Sequence, residues 1–109
     1  MSAAGLYAYR ARVARWIDAD TVDLDVDLGF AMSARLRFRL ARVDAPERGQ
    51  PGHGDALAIA SELMPPGVPV IVESYKGDRY GRWIGEVRTL AGANVSDALL
   101  ASGVARYQP

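Results

Sequence analysis

Val22, Leu24, Val26 and Leu28 alternate with Asp23, Asp25 and Asp27. A period of two predicts a strand buried on one face. Leu36, Phe38 and Leu40 repeat the alternation against Arg35, Arg37 and Arg39, and the intervening Gly29–Ser33 stretch reads as a turn. The two runs therefore predict an antiparallel hairpin. With residues 28 and 34 face to face, Asp27 would stand opposite Arg35, Asp25 opposite Arg37 and Asp23 opposite Arg39. Opposite-charge cross-strand pairs contribute about 0.2–1 kcal/mol each. A solvated ion ladder accounts for Arg35 and Arg37, and leaves Arg39 as the member with a possible further use.

Three more strands are expected: Tyr7 to Trp16, a run around Val68, Val70 and Val72, and Trp83 to Val87. Between the third and fourth strands lies a helix pattern, with Asp55 as N-cap, Leu57, Ala60, Leu63 and Met64 on one face, and Pro65-Pro66 as its stop. A second helix is expected from Asn94, with Asp97 as capping partner, Val95, Ala98 and Leu99 facing inward, and Gly103 past its end. Five strands and two helices in this order predict a mainly β fold with some α (α+β), a small closed or partly open barrel. Closure removes exposed edges. An open α+β sheet is the alternative.

The length of 109 residues suits one domain spanning residues 1–109. Half of the residues are hydrophobic and the formal charge is zero, with 13 basic and 13 acidic residues. That balance argues against tight binding of nucleic acid by bulk charge, though not against an enzyme that releases its substrate. Twelve of the thirteen basic residues are arginine, the planar fork suited to phosphate. With no cysteine, disulfides and thiolate metal sites are excluded. No apolar run approaches a membrane span of about 20 residues, and the first residues lack the pattern of a signal peptide. An intracellular protein without membrane contact is the expectation, and a monomer.

Asp20 shares the parity of Val22 and Leu24, so it points to the apolar side of its strand. A lone carboxylate there costs several kcal/mol, so it calls for a cation, an arginine partner or an open barrel end. Asp44 ends the partner strand, and the hairpin could bring it near Asp20. Two carboxylates and the main-chain carbonyl of Ala45 would make half of an oxygen shell for Ca²⁺ or Mg²⁺. The bland alternative is a turn at Asp44 and a capped bend at Asp20. Glu47, set by Pro46, could deprotonate a water. Arg39 and Arg82 could grip the non-bridging oxygens of a phosphodiester. Asp78-Arg79-Tyr80-Gly81-Arg82 also reads as a polar turn with its bend at Gly81; within it Arg79 and Tyr80 are candidate substrate contacts, Tyr80 by stacking on a base or sugar. His53, the single histidine, is assigned no role.

Asp18-Ala19-Asp20-Thr21, then Arg39-Leu40 with Asp44-Ala45-Pro46-Glu47, then Asp78-Arg79-Tyr80-Gly81-Arg82, make three ordered motifs. With the closing stretch Asn94 to Ala105, the chain resembles the thermonuclease (staphylococcal nuclease-like) family from about Tyr9 to Tyr107. The resemblance implies an OB-type five-stranded barrel. It implies a Ca²⁺-dependent endonuclease acting on single-stranded or melted DNA and on RNA, leaving 3′-phosphate ends. Asp20, Asp44 and the Ala45 carbonyl would be metal ligands, Glu47 would handle the attacking water, and Arg39 and Arg82 would bind the phosphate. Mg²⁺ or another divalent ion could serve, and a bacterial or phage origin would suit. Ala19 stands where the family usually has Gly, and would strain a backbone of positive φ. Ser96 replaces a frequent Asn, the Arg48–Gly54 loop is short, and the chain stops at Pro109. Two other functions compete: a non-catalytic nucleic-acid or protein interaction module on the same barrel, and a phosphodiesterase for small nucleotides.

Overall fold

The computed structural model describes residues 7–77 and 81–109. Nine elements follow one another: β1 (Ala8–Asp18), β2 (Thr21–Gly29), β3 (Met32–Leu40), β4 (Val43–Asp44), α1 (His53–Leu63), β5 (Pro69–Gly77), β6 (Trp83–Thr89), α2 (Val95–Ala101) and β7 (Arg106–Tyr107). Five of the strands close into a barrel in the order β1-β2-β3-β6-β5. Every neighbouring pair is antiparallel except β3 with β6, which run parallel over Phe38↔Trp83, Arg39↔Ile84 and Leu40↔Gly85. This is the closed, OB-type barrel rather than the open sheet. Bulges in β1 at Val13/Arg15 and Trp16/Asp18 let that strand bend around it. β4 and β7 form a small separate ladder, Val43↔Tyr107 and Asp44↔Arg106, which the alternation pattern did not indicate.

The period-two pattern fills the barrel. Val22, Leu24 and Val26 from β2 meet Phe38 and Leu40 from β3, Val70 and Val72 from β5, and Val87 from β6, all almost fully buried. The helix α1 closes one end. It lays Ala56 and Ala60 on the barrel, four residues apart and therefore on one face, with Met64 just past its end. The two alanines let the helix sit close; Leu57 is only half-buried. Asp55 lies in the first turn and is not the cap; Gly52 holds that place with φ 87° and no side-chain bond. The positive φ there requires glycine, so the helix begins three residues earlier than a carboxylate cap at Asp55 would have set it. Trp16 Nε1–H donates to the Met64 carbonyl at 2.9 Å and ties the helix end to β1.

In α2 the Asn94 side chain accepts the Asp97 N–H at 3.1 Å, as the capping pattern predicts. The buried face is Val95, Ser96 and Leu99, in place of the expected Val95, Ala98 and Leu99. Ser96 turns inward because its hydroxyl has a partner there, the Ala41 carbonyl at 2.9 Å.

The hairpin pairs differently from the simple expectation. Asp25 faces Arg35, Asp23 faces Arg37, and Thr21 faces Arg39. The turn is tighter than the sequence suggested: Gly29 pairs with Met32, and a bulge between Asp27 and Gly29 absorbs Leu28. Phe30 and Ala31 alone reverse the chain, with φ 55° and 60°, the positive values a type I′ turn demands. Bidentate bonds join Arg35 to Asp25 (2.7 and 3.0 Å) and Arg37 to Asp23 (2.7 and 3.1 Å). The ladder thus holds Arg35 and Arg37, and the shifted pairing takes Arg39 out of it.

Gly85 on β6 marks the tightest point of the seam. A Cβ there would meet the Glu73 carbonyl, Phe38 Cδ2 and Val72 Cγ2, each at 3.1 Å. Two of these are side chains locked in the core and one is backbone. Overpacking of this kind costs about 1–3 kcal/mol. Gly85→Ala should therefore lower the urea midpoint by that amount of stability, and an unchanged midpoint would show that the seam has slack.

Candidate active site

The β1–β2 turn, the end of β3 and the start of β4 meet beside α1. Asp20 is 7% exposed. Its Oδ2 accepts the Ala45 N–H at 2.8 Å and its Oδ1 accepts the Thr21 hydroxyl at 3.1 Å. The Asp20 carbonyl in turn accepts the Leu40 N–H at 2.8 Å. The apolar parity of Asp20 is thus satisfied by partners, not by an apolar contact, as burial of a carboxylate requires. Ala19 beside it is fully buried, and it is not among the non-glycine residues of positive φ, which among the described residues are Phe30, Ala31 and Arg42. The Gly-to-Ala departure therefore leaves Asp20 unstrained.

Arg39 reaches between the two aspartates. Nη1 lies 3.3 Å from Asp20 Oδ2, and Nη2 lies 3.7 Å from Asp44 Oδ1. Nη1 also donates to the Val43 carbonyl at 2.7 Å, and Nη2 to Gln108 Oε1 at 3.2 Å. The guanidinium is largely buried, at 17% side-chain exposure, while Asp44 is half exposed at 53%. The structure therefore brings Asp20, Arg39, Asp44 and Ala45 together. Glu47 follows on an exposed loop, its N–H held by Gln50 Oε1 at 2.7 Å. Arg82 follows the positive-φ bend at Gly81 and lines a groove with Asp23, Arg35, Leu36 and Arg37. That groove lies one ladder rung from Arg39 along the outer face of β3, about 7 Å in strand geometry. Arg79 and Tyr80 lie outside the described residues.

Among the described residues no three His, Asp or Glu side chains converge as a metal cluster. The donors on hand are all oxygen. Asp20 and Asp44 outweigh Arg39 by one negative charge. A carboxylate pair has about four lone-pair sites per group, so internal donors to Asp20 do not exhaust it. Hard oxygen donors with residual negative charge fit a Ca²⁺- or Mg²⁺-like ion, completed by water and substrate.

Three contacts here had no signal in local sequence. The first is Gln108, which reaches Arg39 from the end of the chain and whose N–H also donates to the Arg42 carbonyl at 2.9 Å. The second is His53, whose Nδ1 is 3.1 Å from the Pro46 carbonyl and 3.7 Å from Asp18 Oδ1. It links the loop of Glu47 to the turn of Asp20. The third is Arg42, at φ 69° in the connection between β3 and β4. Arg42 bonds Glu86 at 2.6 and 2.8 Å and Asp97 at 2.9 Å. These bonds compensate a left-handed backbone that arginine does not favour, and so fix the turn that sets Asp44 relative to Arg39.

Electrostatics follow the pairing. The Arg37 hydrogen bond outweighs burial and, with Arg15, holds the Asp23 carboxyl below its ordinary value. Burial pushes the Glu86 carboxyl up, but the hydrogen bonds from Arg42 and Asn94 more than offset it and hold the group low. The hydrogen bond to Glu86, with that to Asp97 and against burial, raises the Arg42 guanidinium. A carboxyl depressed in the folded state contributes stability present above its unfolded pKa and lost as pH falls through the folded one. For Glu86 that loss begins below its reference value of 4.5. Glu86→Gln should flatten the fall of the urea midpoint with acid below that pH; an equally steep fall would remove Glu86 from the acid response.

Residues 37–109 match a family model described as staphylococcal nuclease homologue. The match includes Arg39, Asp44, Ala45, Glu47 and Arg82; Asp20 precedes it. The chain is 33% identical over 96 residues to a protein named "Uncharacterized endonuclease" from Escherichia coli O157:H7, covering 86% of this chain and 58% of that protein. An Escherichia coli protein of the same name gives the same figures. Escherichia coli "Protein ParB" is 35% identical over 104 residues, covering 88% of this chain and 55% of its own length. The chain thus spans somewhat over half the length of these relatives.

Proposed function

Since the chain belongs to the family of staphylococcal nuclease homologues, we propose that it is an endonuclease hydrolysing the phosphodiester bonds of single-stranded or melted DNA and of RNA. The observation that carries this reading is Arg39, withdrawn from the ladder and suspended between Asp20 and Asp44. A purely structural arginine row would have kept all three members paired across the strands.

In this mechanism Asp20, Asp44 and the Ala45 carbonyl would hold a divalent ion, Ca²⁺ by preference. When bound, that ion supplies Lewis-acid neutralisation of the phosphate charge. Glu47 takes the proton of the attacking water. Arg39 presents Nη2, its less tightly held edge, to a non-bridging oxygen in place of Gln108. Arg82 approaches from the adjoining groove. Both guanidiniums stabilise the added negative charge as phosphorus becomes five-coordinate. The bond from phosphorus to the 5′ oxygen breaks, that oxygen is protonated by water, and the 3′ side keeps the phosphate. The protein works inside the cell as a monomer on this reading. No helix among the described residues is long and apolar enough to cross a membrane.

One observation favours the non-catalytic binding module: the Ala45 N–H and Arg39 already occupy Asp20 Oδ2. Denatured DNA separates the two readings. Cleavage with Ca²⁺, abolished by chelator and reduced about 10²–10⁴-fold in Glu47→Gln, supports the enzyme. Tight binding without metal-dependent cleavage of DNA or RNA rejects it. Turnover of dinucleotides in preference to oligonucleotides would point to the small-nucleotide phosphodiesterase instead.

A lysine point charge cannot grip phosphate bidentately. Arg39→Lys and Arg82→Lys should each impair kcat far more than Arg35→Lys or Arg37→Lys. Equal losses at all four positions would mean that the ladder, not a phosphate site, is what these arginines serve.

A further inference from the structure

His53 opens α1 directly after the left-handed Gly52. Its ring is largely buried, at 15% side-chain exposure. Nδ1 lies 3.1 Å from the Pro46 carbonyl and 3.7 Å from Asp18 Oδ1. A carbonyl only accepts, so Nδ1 carries a proton and donates it to Pro46. Pro46 is held in a second way: a Cβ on Gly52 would stand 3.5 Å from its Cγ, so the proline ring rests on the helix start. Glu47 comes next. Among the described residues the bonds that hold Glu47 are to its backbone, and both involve Gln50. The Glu47 N–H donates to Gln50 Oε1 at 2.7 Å, and the Glu47 carbonyl accepts the Gln50 N–H at 2.9 Å. The Gln50 carbonyl in turn accepts the His53 N–H at 3.2 Å.

We propose that His53 is a positioning residue for Glu47: its Nδ1–H fixes the Pro46 carbonyl and thereby sets where the Glu47 carboxylate stands relative to Asp20 and Asp44. Its neighbours in the site do not depend on His53 in this way. Asp20 is fixed by Ala45, Thr21 and Arg39. Asp44 is fixed by the ladder with Arg106. Glu47 lies on an exposed turn that Gln50 closes upon itself. Such a turn is placed only by its two attachments, Pro46 at one end and the start of α1 at the other. His53 serves both, its ring on Pro46 and its N–H on Gln50. A general base works only within hydrogen-bond reach of its water, and a misplacement of about 1 Å costs up to about 10²-fold. The inference rests on the reading of Glu47 as the base of a phosphodiester hydrolysis.

The test uses the whole chain, with denatured DNA and Ca²⁺ for the kinetics. His53→Phe keeps a flat ring and removes the donor; His53→Asn returns an N–H close to the place of Nδ1. His53→Phe should lower kcat about ten- to a hundredfold with KM little changed, and His53→Asn should recover most of that loss. In a Glu47→Gln background the same His53→Phe change should cost little more, because both act through one carboxylate. Amide hydrogen exchange, read without Ca²⁺ or DNA, should quicken at Glu47 and Gln50 in His53→Phe, while the Met64 amide at the far end of α1 exchanges as before. His53→Ala repeats each measurement should His53→Phe fail to fold by circular dichroism. Equal losses with and without Glu47, or unchanged exchange at Glu47 and Gln50, would overturn the inference and leave the nuclease reading standing. Full cleavage by Glu47→Gln would overturn the inference together with the role of Glu47. A parent that cleaves neither DNA nor RNA would remove the nuclease reading, and the inference with it.

Discussion

The pairing of β2 with β3 is the constraint on which the site depends. With Thr21 opposite Arg39, the last arginine of the row has a hydroxyl across from it instead of a carboxylate. Its charge is then answered from the ends of the strands, by Asp20 and Asp44. A shift of two residues along the strands would return Arg39 to the ladder opposite Asp23 and leave Asp20 buried without its cation. Such a shift keeps every side chain on its own face, so the core pattern does not choose between the two registers. The two-residue turn at Phe30 and Ala31 does, and thus decides where a charged group ends up.

Around that constraint the chain arranges groups that oppose one another. Asp20 is buried, and burial is tolerable because Ala45, Thr21 and Arg39 all point at it. Arg42 occupies an unfavourable backbone region, and Glu86, Asn94 and Asp97 hold it there. The consequence is a rigid connection between Arg39 and Asp44, while Asp44 itself remains half exposed. Electrostatic preorganisation of this kind requires supporting groups that do not relax when a substrate charge arrives.

Much of this architecture could be read from the chain. Alternation located the barrel strands, Asn94 located the start of α2, and Gly81 located a bend of positive φ. The parity of Asp20 marked it as a group in need of a partner. The hairpin register was not legible, because a turn made of Phe30 and Ala31 has none of the Asn-Gly chemistry that announces a two-residue loop. The start of α1 was misjudged for a related reason: a glycine of positive φ caps it without a side chain, while Asp55 is attractive by type. Gln108, His53 and the inward turn of Ser96 depend on residues between 7 and 69 positions away. No local pattern encodes such separations. The groove position of Arg82 likewise depends on how β6 meets β3.

The parallel seam between β3 and β6 spans three rungs and joins segments about 45 residues apart. Joining such distant segments carries a larger loop-closure entropy than forming the hairpin does. Arg39 belongs to one side of the seam, and Arg82 directly precedes the other. A nascent or partly unfolded chain therefore carries the two arginines proposed to grip phosphate on unconnected stretches. On the proposed reading, hydrolytic competence would arise only in the finished barrel, and an unfolded copy would leave the nucleic acids of its host untouched.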